Sequence, residues 1–273
     1  MLKHTGTRRC GPGPAARMIG FLALLASLPG CTGDGDGGAR DAALGADASG
    51  IPDSAVGSGT DAGDNAPERW LALDGVVNAR DLGGYAVSGG QSVRWRQLLR
   101  GGALSGLTST GCAAFTALGV TTVIDLREAT EQASAPPPAC VTESATVVST
   151  PMPKILPASA DNYLALMDQS EAAVVQMFAT VGQAHAGPVY VHCVIGRDRA
   201  SWAAALLLLA VGADRATVLT DFLLSNDAGV TVTASHLEAI LDAIDAAGGI
   251  EAYLTGLGVT QEQLSTLRGW ALE

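Results

Sequence analysis

Cys193 and Arg199 stand six residues apart with Gly196 between them, and these three residue types can do chemistry together. A thiolate is a nucleophile, a guanidinium is a planar fork of donors for an oxyanion, and a glycine lets the backbone turn tightly between them. Val189-Tyr190-Val191-His192 is a short apolar, β-branched run, and a strongly apolar stretch begins at Ala200. The segment therefore reads strand, loop, helix. A cysteine in that loop sits in the positive potential of unpaired N–H groups and of the helix N-terminus. That potential favours the thiolate, and the same donors would hold the oxygens of a tetrahedral dianion. Cys193 and Arg199 are thus the catalytic candidates. Val194, Ile195, Gly196 and Arg197 are the binding candidates, acting through the loop. A cysteine and an arginine at this spacing are a weak signal alone, since a buried cysteine beside a surface arginine gives the same pair. The strand before, the glycine within and the helix after favour the chemical reading.

Elements able to position this loop lie on both sides of it. Thr108 can cap a helix over Ser109 to Leu118, and Gly119 can end it. Val120 to Asp125 reads as a buried strand. Pro136-Pro137-Pro138 marks a loop. Leu164, Met167, Val174, Val175, Phe178 and Val181 recur at helical spacing, which predicts a helix over Asn162 to Val181. Pro188 to His192 is a second strand, and Ala200 to Val211 a buried helix stopped by Gly212. Further helices are predicted from about Asp214, Ser235 and Thr260, where Thr260 and Gln263 form a capping-box pattern. Strands alternating with helices predict an α/β fold, with a central, largely parallel sheet flanked by helices.

The first thirty residues read as a targeting segment. Lys3, Arg8, Arg9 and Arg17 form a basic stretch without an acid, and Met18 to Leu28 is apolar but too short to span a bilayer. Leu28-Pro29-Gly30-Cys31 resembles a bacterial lipobox, with Cys31 as the lipidated first residue of the mature chain. The alternative is an ordinary secretory signal with Cys31 incidental. Loss of those four cations takes the net charge from −11 to −15. Residues 31–69 are rich in Gly, Ala, Asp and Ser and read as a flexible tether, and residues 70–273 as the folded domain. An exported protein held by lipid at the bacterial envelope, on its periplasmic or outer-membrane face, follows from this reading. Export favours disulfides, and Cys112 and Cys140 are the cysteines left to pair once Cys10, Cys31 and Cys193 are accounted for. No basic cluster occurs after residue 17, which argues against a nucleic-acid partner. The four histidines and five cysteines lack metal-ligand spacing, so no metal is expected.

The segment His192-Cys193, five residues, then Arg199 resembles the signature of the cysteine-dependent protein tyrosine phosphatase superfamily. It is most similar to the bacterial tyrosine/serine phosphatases of the dual-specificity type. Asn78-Ala79-Arg80-Asp81-Leu82-Gly83-Gly84-Tyr85, Arg100-Gly101-Gly102, Asp125-Leu126-Arg127 with Glu131, Asp221 to Asn226 and Leu267-Arg268 resemble further motifs of that family. The resemblance covers about residues 70 to 273. It implies a tyrosine-phosphatase-like fold and hydrolysis of phosphate monoesters through a phosphocysteine, without cofactor. Phosphotyrosine is the expected substrate, with phosphoserine, phosphothreonine or a phosphoinositide as further possibilities. The expected partners are a phosphorylated protein or phospholipid and the membrane, and the protein is expected to be monomeric. The resemblance implies pocket positions for Asp125 and Arg127 and makes Asp198 the candidate acid. Arg197 and Arg199 favour ionised Asp198, which suits a base, while burial or a bound dianion pushes the other way. A structural partnership with an arginine is an equal reading. Asp161 is a less favoured acid, and His192 reads as a brace for the loop. Two departures stand out. Arg197 replaces the family's usual lysine, and Ala200-Ser201 replaces a hydroxyl residue followed by glycine. Ala200 keeps a phosphate-binding lipoprotein without turnover in view, and sulfur transfer or arsenate reduction are enzyme alternatives.

Overall fold

The computed structural model describes residues 68–183 and 186–273. The targeting segment, Cys31 and almost all of the tether lie outside the described residues. Five short strands form one sheet: β1 (Arg80–Asp81), β2 (Leu98–Gly101), β3 (Thr122–Asp125), β4 (Thr146–Ser149) and β5 (Val189–His192). Their order is β1-β2-β5-β3-β4. β2, β5, β3 and β4 run parallel, while β1 joins the edge antiparallel to β2. Side chains alternate between the two faces, as the strand period of two requires. Leu98, Ile124, Val189 and Val191 enter one core, and Leu99, Val123 and Tyr190 the other. Both faces are therefore covered, as parallel sheets demand.

The ten helices are α1 (Ser109–Leu118), α2 (Ala129–Ser134), α3 (Ala139–Thr142), α4 (Ala160–Gln169), α5 (Glu171–Val181), α6 (Asp198–Val211), α7 (Arg215–Leu223), α8 (Ala234–Ala246), α9 (Ile250–Leu257) and α10 (Gln261–Ala271), counted among the described residues. Phe115 of α1 and Val141 of α3 pack on one face of the sheet, and the apolar residues of α4 to α10 form the larger core on the other. Cys112 of α1 and Cys140 of α3 are bonded as a disulfide. Local signals act where they stand. Thr108 accepts from the Gly111 N–H at the start of α1, and Gly119 ends it at φ 67°. Asp214 caps α7, Thr260 and Gln263 close a capping box on α10, and Gly212 ends α6 at φ 101°.

Two helices differ from the sequence reading. The helix expected over Asn162 to Val181 is two, broken at Ser170 (φ −107°, ψ 7°). Both pieces face the same core, so the apolar spacing continues across a break it cannot reveal. α6 begins at Asp198 and not at Ala200, which places Asp198 and Arg199 in its first turn. The sheet register aligns Gly101, His192 and Asp125, so three strands end at one level. Ligand crevices in parallel sheets open beyond such carboxyl ends, and Cys193 is the next residue.

Candidate active site

The loop from Cys193 to Arg197 is held from behind by its carbonyls. The Cys193 carbonyl lies 2.9 Å from His192 Nδ1. A carbonyl only accepts, so Nδ1 carries the proton. The Val194 carbonyl accepts from the Ala103 N–H at 2.9 Å. The Gly196 carbonyl accepts from Asn78 Nδ2 at 2.9 Å and Arg100 Nη2 at 2.6 Å. Among the described residues, the N–H groups of Val194, Ile195, Gly196 and Arg197 donate to no protein acceptor. Carbonyls tied back and amides left free are the requirement for an anion cradle. Gly196 has φ +71°, and a Cβ there would lie 2.6 Å from the Gly101 carbonyl carbon, so conformation and contact both require glycine.

A cavity of about 180 Å³ opens over the loop, lined by Cys193, Val194, Ile195, Arg197, Asp198, Arg199, Glu131 and residues Lys154 to Leu156. Cys193 is the buried, unbonded cysteine of the described residues and sits at its base. Arg199 donates to both Glu131 carboxylate oxygens, at 2.6 and 3.1 Å, which aims its guanidinium. Burial opposes charge on Glu131, yet the bonds from Arg199 hold its carboxyl below the usual range. Asp198 accepts from the Tyr163 hydroxyl at 2.7 Å and from Arg197 Nε at 3.0 and 3.1 Å.

Beneath the loop lies a buried charge network. Asp221 accepts from Arg80 Nε at 2.9 Å and Arg100 Nη1 at 2.8 Å. Arg80 also bonds the Asn78 side-chain oxygen, and Arg100 Nη2 donates to Ser201 Oγ at 2.7 Å. Burial disfavours charge on Asp221, but the two arginines hold its carboxyl down to about 2. Two cations share one anion here, so the loop stands above residual positive charge. Burial and the neighbouring Arg80 bring Arg100 down to about 10, with Asp221 and Cys193 opposing the shift.

The cleft brings six expected site residues together: Cys193, Val194, Ile195, Arg197, Asp198 and Arg199. Gly196 lies behind the loop against Gly101. Asp125 and Arg127 are both 2 % exposed and do not line the cleft. They bond each other, with Arg127 Nη2 at 2.7 Å from Asp125 Oδ2, and Arg127 Nη1 reaches the Ala135 carbonyl. Their side chains brace strand β3 and α2. Asp161 is exposed in the first turn of α4, outside the cleft. His192 is buried, and burial lowers its pKa despite Asp125, so it braces the loop as a neutral ring. The sequence reading assigned no site role to Asn78, Arg80, Arg100, Glu131, Tyr163, Asp221 or Ser201. For all but Tyr163 and Ser201 a signal existed, because they lie in the family-like motifs. Two arginines and one aspartate in apolar surroundings must also find one another.

A sheet that delivers a cysteine into a cradle of free amides beside an arginine suits an enzyme acting on phosphate esters. The sequence model of the tyrosine phosphatase family matches residues 71–273. A Cupriavidus necator protein named "putative tyrosine-protein phosphatase" is 30% identical over 228 residues, covering 67% of this chain and 82% of the relative. The triple specificity protein phosphatase PtpB of Mycobacterium tuberculosis is 41% identical over 58 residues, which is 21% of either chain. The crystal structure of P. aeruginosa TpbA shares 18% identity at a TM-score of 0.35, covering 61% of this chain and 89% of that one. The chain belongs to the tyrosine phosphatase family. It is a phosphatase, a phosphoric monoester hydrolase.

Proposed function

We propose that the protein hydrolyses phosphotyrosine, and more slowly other phosphate monoesters, through a phosphocysteine on Cys193. The observation that carries this reading is the row of free amides from Val194 to Arg197 beside Cys193 and Arg199. In the first step the Cys193 thiolate attacks phosphorus. An S–P bond forms, the P–O ester bond breaks, and the leaving oxygen takes a proton from Asp198. Arg199 and the loop amides hold the equatorial oxygens. In the second step water attacks phosphorus and gives a proton to Asp198; the S–P bond breaks, releasing phosphate and the thiolate. Ile155, Leu156, Val194 and Ile195 give the cleft apolar walls suited to an aryl ring. Breadth beyond a single phosphoester is supported by the name of the mycobacterial relative, a triple specificity protein phosphatase.

The full chain is expected to hydrolyse 4-nitrophenyl phosphate with EDTA present, and vanadate is expected to inhibit it. Cys193→Ser should lose at least about a thousandfold in kcat, since the nucleophile is gone. Undiminished turnover in that variant would remove the mechanism. We further propose that the protein is exported and anchored through lipidated Cys31, with residues 31–69 as tether and 70–273 as the catalytic domain. Cys31→Ala should move the protein from the membrane fraction to the soluble fraction; continued sedimentation with membranes would exclude the anchor.

A further inference from the structure

Asp198 is fixed by a residue from a distant element. The Tyr163 hydroxyl, on α4, donates to Asp198 Oδ1 at 2.7 Å. Tyr163 is fully buried, and its ring is wedged edge-on against Phe222 at 6.2 Å and tilted against His236 at 5.4 Å. The hydroxyl therefore has little freedom to leave. Burial first, then the adjacent Asp198 carboxylate, pushes the phenol pKa far upward, so the group stays a donor and moves no proton itself. Among the described residues, Asp198 Oδ1 takes bonds from both Tyr163 and Arg197 Nε, whereas Oδ2 accepts from Arg197 Nε alone, at 3.1 Å.

We infer that Tyr163 is a positioning residue for the acid. It occupies Asp198 Oδ1 and leaves Oδ2 as the oxygen that carries the proton to the leaving group. The inference rests on the proposed role of Asp198. A carboxylic acid whose carbonyl oxygen accepts from a fixed phenol cannot rotate its proton away from the cleft. The contribution of such an acid grows as the leaving group becomes more basic. A phenol leaves with a pKa of about 10 and needs the proton, while 4-nitrophenol is much more acidic and needs it less.

The test compares phenyl phosphate with 4-nitrophenyl phosphate in the full chain. It is read in kcat/KM, which covers the step that breaks the P–O bond. Asp198→Asn should slow phenyl phosphate by about 100-fold and 4-nitrophenyl phosphate far less. Tyr163→Phe, which removes one oxygen and keeps the ring, should slow phenyl phosphate about tenfold. It should leave 4-nitrophenyl phosphate within about twofold, a result that also reports an intact fold. In the Asp198→Asn background, Tyr163→Phe should add no further loss. Equal slowing of both esters by Tyr163→Phe, or a full additional loss in the double variant, would make its role structural and overturn the inference. If Asp198→Asn itself ignores the leaving group, the acid assignment fails first, and Tyr163 loses its role with it.

Discussion

At position 200 a methyl group follows Arg199, where the family resemblance implies a hydroxyl. Ala200 is fully buried in the first turns of α6. Ser201 does not replace it: its oxygen accepts from Arg100 Nη2 at 2.7 Å, and among the described residues its hydroxyl makes no hydrogen bond to Cys193. Among the described residues no side chain hydrogen-bonds Cys193. In the proposed second step, a hydroxyl donated to sulfur would ease departure of the thiolate when water attacks the phosphocysteine. A bond of that kind contributes about 1.5–3 kcal/mol, or one to two powers of ten in rate. Dephosphorylation is therefore expected to limit turnover, and rapid mixing should give a burst of leaving group near one per active site. Ala200→Ser adds one oxygen to a packed site and should raise the steady-state rate while shrinking the burst. A wild type without a burst, together with unchanged turnover in Ala200→Ser, would show that another donor serves the sulfur.

Among the elements, α1 and α3 cover the smaller face of the sheet with few apolar residues, and the Cys112–Cys140 bond joins them across a sequence separation of 28. Closing a loop of that size in the unfolded chain stabilises the fold by about 3 kcal/mol. Cys112→Ala with Cys140→Ala should lower the denaturant midpoint accordingly. Activity at room temperature should persist, since neither residue approaches the cleft. Peptide mass spectrometry without reductant should find the two cysteines linked and Cys193 free. Recovery of all three thiols free would remove the bond and its stabilisation.

Across the whole molecule, two buried groups, Asp221 and His192, each lower stability as the pH falls. Asp221 is held at about 2 in the fold by Arg80 and Arg100 against the cost of burial, compared with 3.8 for the unperturbed carboxyl. Its folded value is the lower, so the unfolded chain takes the proton first. This contribution is complete above about 3.8, on the order of 2 kcal/mol, and is lost as the pH falls toward 2. Burial places the His192 imidazole below its ordinary 6.5. The unfolded imidazole again protonates first, so stability declines as the pH drops below about 6.5. The urea midpoint should therefore decrease between about pH 7 and pH 5 and fall again below about pH 4. A midpoint that stays flat from pH 7 to pH 5 would contradict a neutral, buried His192.

By itself the sequence determined what neighbouring residues decide among themselves. The caps Thr108, Asp214 and Thr260 and the terminators Gly119 and Gly212 act through backbone groups within one turn, and each stands where the residues imply. Seven consecutive residues, Cys193 to Arg199, carry the cradle, because a loop between strand and helix turns its own amides to the ligand. Tertiary structure decided everything that joins distant charges. Asp221 meets Arg100 across 121 positions and Arg80 across 141, and Tyr163 meets Asp198 across 35. Periodicity records which face of an element is apolar, but not which buried carboxylate it will meet. It likewise passed over the break at Ser170, since α4 and α5 turn the same face to one core. Asp125 and Arg127 carry a family-like motif, yet they satisfy each other under the loop because two buried opposite charges bond before either reaches solvent.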